Sequence, residues 1–349
     1  MEEVDYIIVG CGLAGVSFCE QLRAHNKSFV VFNDDSQQSS VVAAGLYNPV
    51  ILKRFTGVWK AKEQLKMAKL FYAELETLLG VKLDYELPLY RKFASIEEQN
   101  EWFNASDKPT LEAYLFPKIV KNDNPFVNAS FGFGKVLETG RLDTSALLKH
   151  YILYLKSIDS YQNESFDYSV LNIQDNVIMY KNIRSRVIVF AEGFGMVKNP
   201  YFKNLPLNVA KGEVLTIKAP DLKIDFILKS SVFVVPEGDD LYSVGATYNW
   251  EDKTNEATEA AKDELLTKLN ELISCDYEVV HQVAGIRPTV KDRRPIVGSH
   301  TDYKNVVILN GLGTRGVMIG PYVAKQLYDH LEHNLPLESE IDIERFQSR

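Results

Sequence analysis

Tyr6-Ile7-Ile8-Val9-Gly10-Cys11-Gly12-Leu13-Ala14-Gly15 is the stretch on which the fold reading turns. Four apolar residues read as a buried strand that stops at a glycine. Gly10, Gly12 and Gly15 then fall in G-x-G-x-x-G spacing, with Leu13 and Ala14 between the last two. In such a turn the first glycine makes the bend, the second lets backbone approach a pyrophosphate, and the third lets helix pack on strand. Helical spacing follows from Val16 to about His25, and Phe29-Val30-Val31-Phe32 runs apolar again. A six-residue match alone is weak. Strand, turn, helix and strand in this order make it a dinucleotide site, with the free N–H groups of the helix start facing the phosphates.

The end of the second strand is where such folds place a carboxylate for the ribose hydroxyls. Here Asn33 stands there, followed by Asp34 and Asp35. Either the Asn33 side-chain oxygen or the Asp34 carboxylate can accept from a hydroxyl, and no arginine follows to hold a 2′-phosphate, which disfavours NADP.

Outward from this unit, Lys60 to Leu79 carries apolar residues at helical spacing, with Gly80 placed as a C-cap. From Val81 to Thr139 the chain is aromatic and broken by Pro88, Pro109, Pro117 and Pro125, so it reads as loop-rich; Leu142 to Ile158 reads as a helix. Val187 to Ala191 and Val306 to Asn310 are further buried-strand candidates, each running into a glycine turn, Glu192-Gly193 and Gly311. Between them, strand-like runs from Val209 to Gly245 and a helix from Glu259 to Leu272 suit a sheet-plus-helix unit inserted into a nucleotide fold.

Several further segments resemble the D-amino acid oxidase superfamily of FAD-dependent oxidoreductases, nearest to glycine oxidase and sarcosine-oxidase-like enzymes. They are the small-residue stretch Ser39 to Leu46, Lys211-Gly212-Glu213-Val214-Leu215, Val244-Gly245-Ala246-Thr247, the run Gly285-Ile286-Arg287-Pro288 through Gly298, and Gly311-Leu312-Gly313-Thr314-Arg315-Gly316-Val317. Arg293 before Pro295 and the Gly311–Gly316 run also resemble the oxidase domain of the bacterial enzyme that completes the methylaminomethyl group on tRNA wobble uridine. The resemblance implies an α/β fold: a Rossmann-like, glutathione-reductase-like FAD-binding domain with an inserted α+β substrate domain on a mixed or antiparallel sheet. The expected segments are 1–60, 140–208 and 285–349 for the FAD-binding domain, and 61–139 and 209–284 for the substrate-binding domain.

The same resemblance implies non-covalent FAD and oxidation of a C–N bond in a small amine or amino acid by hydride transfer, with oxygen or a quinone taking the electrons. Ala43, Ala44, Gly45 and Leu46 would lie beside the flavin. Val170, Ala191, Gly193, Gly311, Gly313, Thr314, Arg315, Gly316 and Val317 are further candidate cofactor contacts, the last few at a helix start whose dipole favours negative charge. Arg287 would hold the substrate carboxylate in a bidentate pair. Arg315 reads either as a ligand contact or as a loop anchor. Phe233 stands where glycine oxidase has a carboxylate-contacting tyrosine, which leaves the pocket more apolar. Tyr47 and Tyr248 are candidate walls. The alternatives are an oxidase acting on a carboxymethylaminomethyl uridine of tRNA, and a flavoprotein without turnover.

Composition narrows the rest. In 349 residues with a formal charge of −8 there is no Lys/Arg excess, which disfavours nucleic acid as a partner. Cys11, Cys19 and Cys275 form no C-x-x-C pair, and none of the six histidines falls in a ligand motif, so no metal or disulfide is expected. No apolar run approaches the roughly 18 residues of a membrane span. An acidic start without a basic region or cleavage site reads as cytoplasmic.

Overall fold

The computed structural model describes residues 1–174 and 177–346; the last three positions of the expected 285–349 segment lie outside the described residues. Seven α-helices are found among them: α1 (Leu13–Ala24), α2 (Ser39–Val42), α3 (Ala61–Leu79), α4 (Ile96–Ser106), α5 (Thr144–Ser157), α6 (Glu259–Asn270) and α7 (Gly316–His333).

One sheet is built on the glycine-turn strand. Glu2–Val9 lies between Phe29–Asn33 and Ile183–Phe190, parallel to both, and Tyr161–Asn163 and Val306–Asn310 extend the parallel set on either side. Its strands are apolar on both faces because helices cover one side and a meander with the C-terminal segments covers the other. Ile8 and Val31 belong to the core shared with α1, α3, α5 and α7; Ile7 and Val30 belong to the core on the opposite side. The turn itself is set by contact. A Cβ on Gly15 would lie 2.0 Å from the carbonyl oxygen of Gly10, and Gly10 has φ +102°. Glycine at both positions therefore lets α1 begin directly over the end of the strand.

The second sheet has the order Glu278–Arg287, Ala210–Lys218, Leu241–Gly245, Phe233–Gly238, Ile227–Lys229, Leu89–Lys92, Phe133–Val136, Leu115–Val120. All neighbours are antiparallel except Ile227–Lys229 with Leu89–Lys92. This α/β architecture, a parallel nucleotide-type sheet joined to a mixed sheet from interleaved segments, is the one expected.

Two particulars differ from the sequence reading. The stretch read as loop-rich contains α4 and four strands. Ser95 accepts a hydrogen bond from the Glu98 N–H (3.3 Å), and Trp102 is fully buried, its indole donating to the Phe116 carbonyl at 3.0 Å. Ser-x-x-Glu before a helical run is a capping-box signal that the prolines and aromatics masked. The second concerns α3, grouped by sequence with the substrate-binding segments. Its buried residues Leu65, Phe71 and Leu75 share a core with Tyr6 and Ile8, and the Tyr72 hydroxyl donates to the Val317 carbonyl of α7 at 2.8 Å.

Replacing Gly15 by alanine forces the Gly10 carbonyl and α1 apart. The expected result is a loss of about 1–3 kcal/mol in unfolding free energy by urea titration, together with weaker retention of the dinucleotide. A variant of wild-type stability would show that the close approach is not required.

Candidate cofactor and substrate cavity

A cavity of about 1050 Å³ runs between the two sheets. It begins at the end of Phe29–Asn33, passes the glycine turn and the first turn of α1, and reaches the face of the second sheet. Of the residues singled out in the sequence, Gly10, Gly12, Leu13, Ala14, Asn33, Asp34, Ala43, Ala44, Gly45, Leu46, Ala191, Gly193, Phe233, Tyr248, Arg287, Gly313, Thr314, Gly316 and Val317 all line it.

Five others do not. Gly15 and Gly311 lie behind the wall, where Gly15 packs on the glycine turn and a Cβ on Gly311 would meet Val290. Val170 ends a short 3-10 turn with its side chain exposed. Tyr47 is buried away from the cavity: its hydroxyl donates to Asp84 Oδ1 at 2.8 Å and its ring lies against Gly140. Its place in a strand pair with Gly140 turns the ring into the three-stranded sheet that also holds Asp84. Arg315 closes the 3-10 turn Gly313–Arg315 ahead of α7 and sits near Tyr248, Arg293 and Arg294.

At the nucleotide end, Asn33 works inward. Its Oδ1 accepts from the Cys11 N–H at 2.9 Å and its Nδ2 donates to the Tyr161 hydroxyl at 3.2 Å, so it pins the glycine turn to the second strand. Asp34, beside it, is held by Ser36 and Ser165, which keep its carboxyl below the ordinary value although burial opposes them. Cys11 is enclosed, and burial pushes its thiol up to about 12, which leaves it a poor nucleophile.

Sequence reasoning missed three residues here. Ser40 Oγ accepts from the Leu13 N–H at 3.2 Å, capping one of the free donors at the start of α1. Asn310 Nδ2 donates to the Gly193 carbonyl at 2.9 Å and ties two strand ends together. Glu192 lines the cavity with its carboxyl buried; burial pushes it up from 4.5 to about 7, against hydrogen bonds donated by Asn199 (2.6 Å) and the Tyr168 hydroxyl. Glu192 precedes Gly193 in a turn where only the glycine carried a signal.

At the far end the second sheet presents Gly212, Val214, Phe233 and Arg287 to the cavity. The Arg287 guanidinium lies over Gly212, where a Cβ would come within 1.9 Å of Nη2, so glycine in Lys211-Gly212-Glu213 makes room for it. Its Nη1 donates to the Thr247 carbonyl at 3.2 Å, and it stacks 4.4 Å from the Tyr248 ring centroid. No carboxylate pairs with it among the described residues, and burial lowers its pKa. Tyr248 is 56% exposed and covers this end of the cavity from the solvent side.

A glycine-turned helix start over one end of a long cavity, and a half-buried, unpaired arginine on an opposing sheet at the other, define a dinucleotide-dependent oxidoreductase site. The chain belongs to the FAD-dependent oxidoreductase (DAO) family, whose sequence model matches residues 5–330. Among curated relatives it is 21% identical to glycine oxidase of Bacillus subtilis strain 168, over 93% of this chain and 91% of that one. It is 24% identical to the tRNA 5-methylaminomethyl-2-thiouridine biosynthesis bifunctional protein MnmC of Campylobacter jejuni strain 81116, over 84% of this chain but only 46% of that protein's length. The fold matches glycine oxidase from Geobacillus kaustophilus with a TM-score of 0.77 at 18% identity, covering 99% and 98% of the two chains. It also matches iminodiacetate oxidase from Chelativorans sp. BNC1 with a TM-score of 0.79 at 16% identity, covering 96% and 98%. The protein is thus an FAD-dependent oxidoreductase. The cavity fits the cofactor: its volume, its Gly10–Gly15 cradle and the α7 start, which no side chain caps, suit an adenine dinucleotide whose ring would gain negative charge on reduction. No helix among the described residues is long and apolar enough to cross a membrane.

The raised Glu192 carboxyl carries a pH signature. Its folded value, about 7, lies above the unfolded 4.5, so its contribution to stability is complete below 4.5 and fades as pH rises to 7. The loss amounts to at most about 3 kcal/mol. Glu192→Gln is expected to flatten the decline of melting temperature across this window; an unchanged slope would assign the decline to other groups.

Proposed function

We propose that this enzyme oxidises the C–N bond of a small amine or amino acid, of the glycine, sarcosine or D-amino acid type. The reading is carried by Arg287, a largely enclosed cation with no counter-ion among the described residues, which faces the cofactor cavity. FAD, bound non-covalently, supplies the two-electron acceptor. This chain's part is to bind and orient. Arg287 holds the substrate carboxylate, with Tyr248 stacked on its guanidinium so that the fork keeps one direction. Phe233, packed against Gly245, gives an apolar wall that keeps water from the reacting carbon. No dedicated base is needed when the amine binds as the free base, and the imine product is then released to hydrolysis. Either oxygen or a quinone then takes the electrons, which oxygen uptake during turnover distinguishes.

We assign cofactor binding to segments 1–60, 140–208 and 285–349 and substrate binding to 61–139 and 209–284, with one revision. The packing of α3 into the first core supports moving residues 61–83 to the cofactor unit. We place Arg315 behind Tyr248 as a loop anchor, and Asp34 rather than Asn33 as the acceptor for the ribose hydroxyls.

One observation favours a second reading, oxidation of a carboxymethylaminomethyl uridine in tRNA. Arg293 and Arg294 lie near Arg315, which is also near Tyr248, and none of the three is ion-paired among the described residues, in the region that also resembles the tRNA-modifying oxidase domain. Gel-shift binding of wobble-modified tRNA at physiological salt would favour it over the amino acid reading.

Arg287→Ala is expected to stay yellow while kcat/KM on carboxylated amines falls by at least about 100-fold. Anaerobic bleaching of the flavin by glycine, sarcosine and D-alanine checks both points. Unchanged kinetics would remove Arg287 from the site.

A further inference from the structure

The cavity wall holds a second cation for which the reading above has no use. Lys229 ends the strand Ile227–Lys229 and lines the cavity beside Ser231 and Phe233. Its ammonium donates to the carbonyl of the adjacent Ser230 at 3.1 Å, and no carboxylate pairs with it among the described residues. The cations around it are already neutralised: Arg91 is paired with Glu98 at 2.8 Å, and Lys268 with Glu264. One positive charge is left over at this corner. Burial and the fields of Arg91 and Lys268 push the Lys229 ammonium down to about 8, so it is still mostly protonated at neutral pH.

Sheet register relates this charge to Arg287. Val214, Gly245, Phe233, Lys229 and Arg91 stand opposite one another in successive strands and so share one face. Gly212, under the Arg287 guanidinium, is two residues along from Val214 and lies on that face too. Three strand spacings separate the strand of Gly212 from that of Lys229, roughly 14 Å of backbone, shortened by the reach of the lysine into the cavity. Phe233 lies between the two charges, an apolar spacer.

We propose that Lys229, with Ser231, forms an anion subsite at the end of the substrate cavity, so that the substrate carries a second anionic group, carboxylate or phosphate, across an apolar spacer from the carboxylate held by Arg287. The substrate class is then an amine or amino acid with two anionic ends. This rests on the reading of Arg287 given above, but its test does not depend on turnover. An ammonium left without a counter-ion in a half-dry cavity gains from an anion that brings its own negative charge, whereas a neutral substrate would leave it unmatched.

The experiment titrates the FAD-loaded protein with linear dicarboxylates of four to eight carbons, the matched monocarboxylates, and the phosphonate-tipped carboxylic acids, reading the perturbation of the flavin absorbance band. In the wild type one chain length should bind at least tenfold more tightly than its monocarboxylate. The preferred tip, carboxylate or phosphonate, names the anion. Lys229→Met should bring that ratio to one, and Lys229→Arg should retain it. A wild-type ratio of one at every length, or a ratio that survives in Lys229→Met, overturns the subsite. Melting curves of both variants exclude loss of fold as the cause, and Lys229→Gln replaces Lys229→Met if the latter is unfolded. Amine-driven bleaching, run in parallel, separates the two claims: dicarboxylates that bind where no amine bleaches the flavin would leave the subsite and remove the oxidase reading, and the reverse result would do the opposite.

Discussion

The arrangement depends on the contact between Gly15 and the carbonyl of Gly10. Because no side chain intervenes, α1 starts on top of the strand that precedes it, with its first N–H groups turned toward the cavity. The rest of the nucleotide end is built to keep that turn in place. Asn33 pins the Cys11 amide from the neighbouring strand, Ser40 caps Leu13, and the Ala191 N–H donates to the Val9 carbonyl at 2.8 Å. None of these bonds is worth more than about 1 kcal/mol by itself. Together they fix where a dinucleotide's phosphates can lie, and so where the opposite end of the cofactor meets the second sheet.

What the second sheet brings to that meeting point is mostly charge that the protein does not balance. Lys211, enclosed on the same sheet, is matched: it donates to Asp252 and Thr254 and stands 3.6 Å from Glu213. Arg287 and Lys229, by contrast, face the cavity with a single carbonyl each. A buried unpaired cation destabilises a fold unless something else compensates it. Cavity-facing cations without partners are therefore better explained by ligands than by packing, and the contrast with Lys211 on the same sheet sharpens the point.

How much of this was legible in sequence follows from how local each signal is. The glycine turn, the strand ends at Gly193 and Gly311 and the run around Arg287 are short patterns whose meaning is carried by spacing, and the chain as a whole adopts the architecture they imply. Signals that depend on sheet register were not legible. Lys229 falls within the strand-like runs from Val209 to Gly245 with no motif around it, and only its register opposite Phe233 puts it at the cavity. Tyr47 follows the small-residue stretch closely enough to suggest a wall, yet its pairing with Gly140 sends the ring elsewhere. Helix α4 did carry a local signal, Ser95 to Glu98, which the surrounding prolines outweighed.

The same distinction bears on the overall charge. A formal charge of −8 argued against a polyanionic partner, but net charge sums over the whole surface, while recognition depends on the few groups a ligand meets. Arg287 and Lys229 line the cavity with no carboxylate partner among the described residues, and Arg315 lies near Arg293, Arg294 and Tyr248. A chain of net negative charge with unpaired cations on its cavity wall repels large polyanions at long range and still holds small ones that enter the cavity. That asymmetry favours a small, doubly charged substrate over a nucleic acid, and it does so without reference to which relatives the chain resembles.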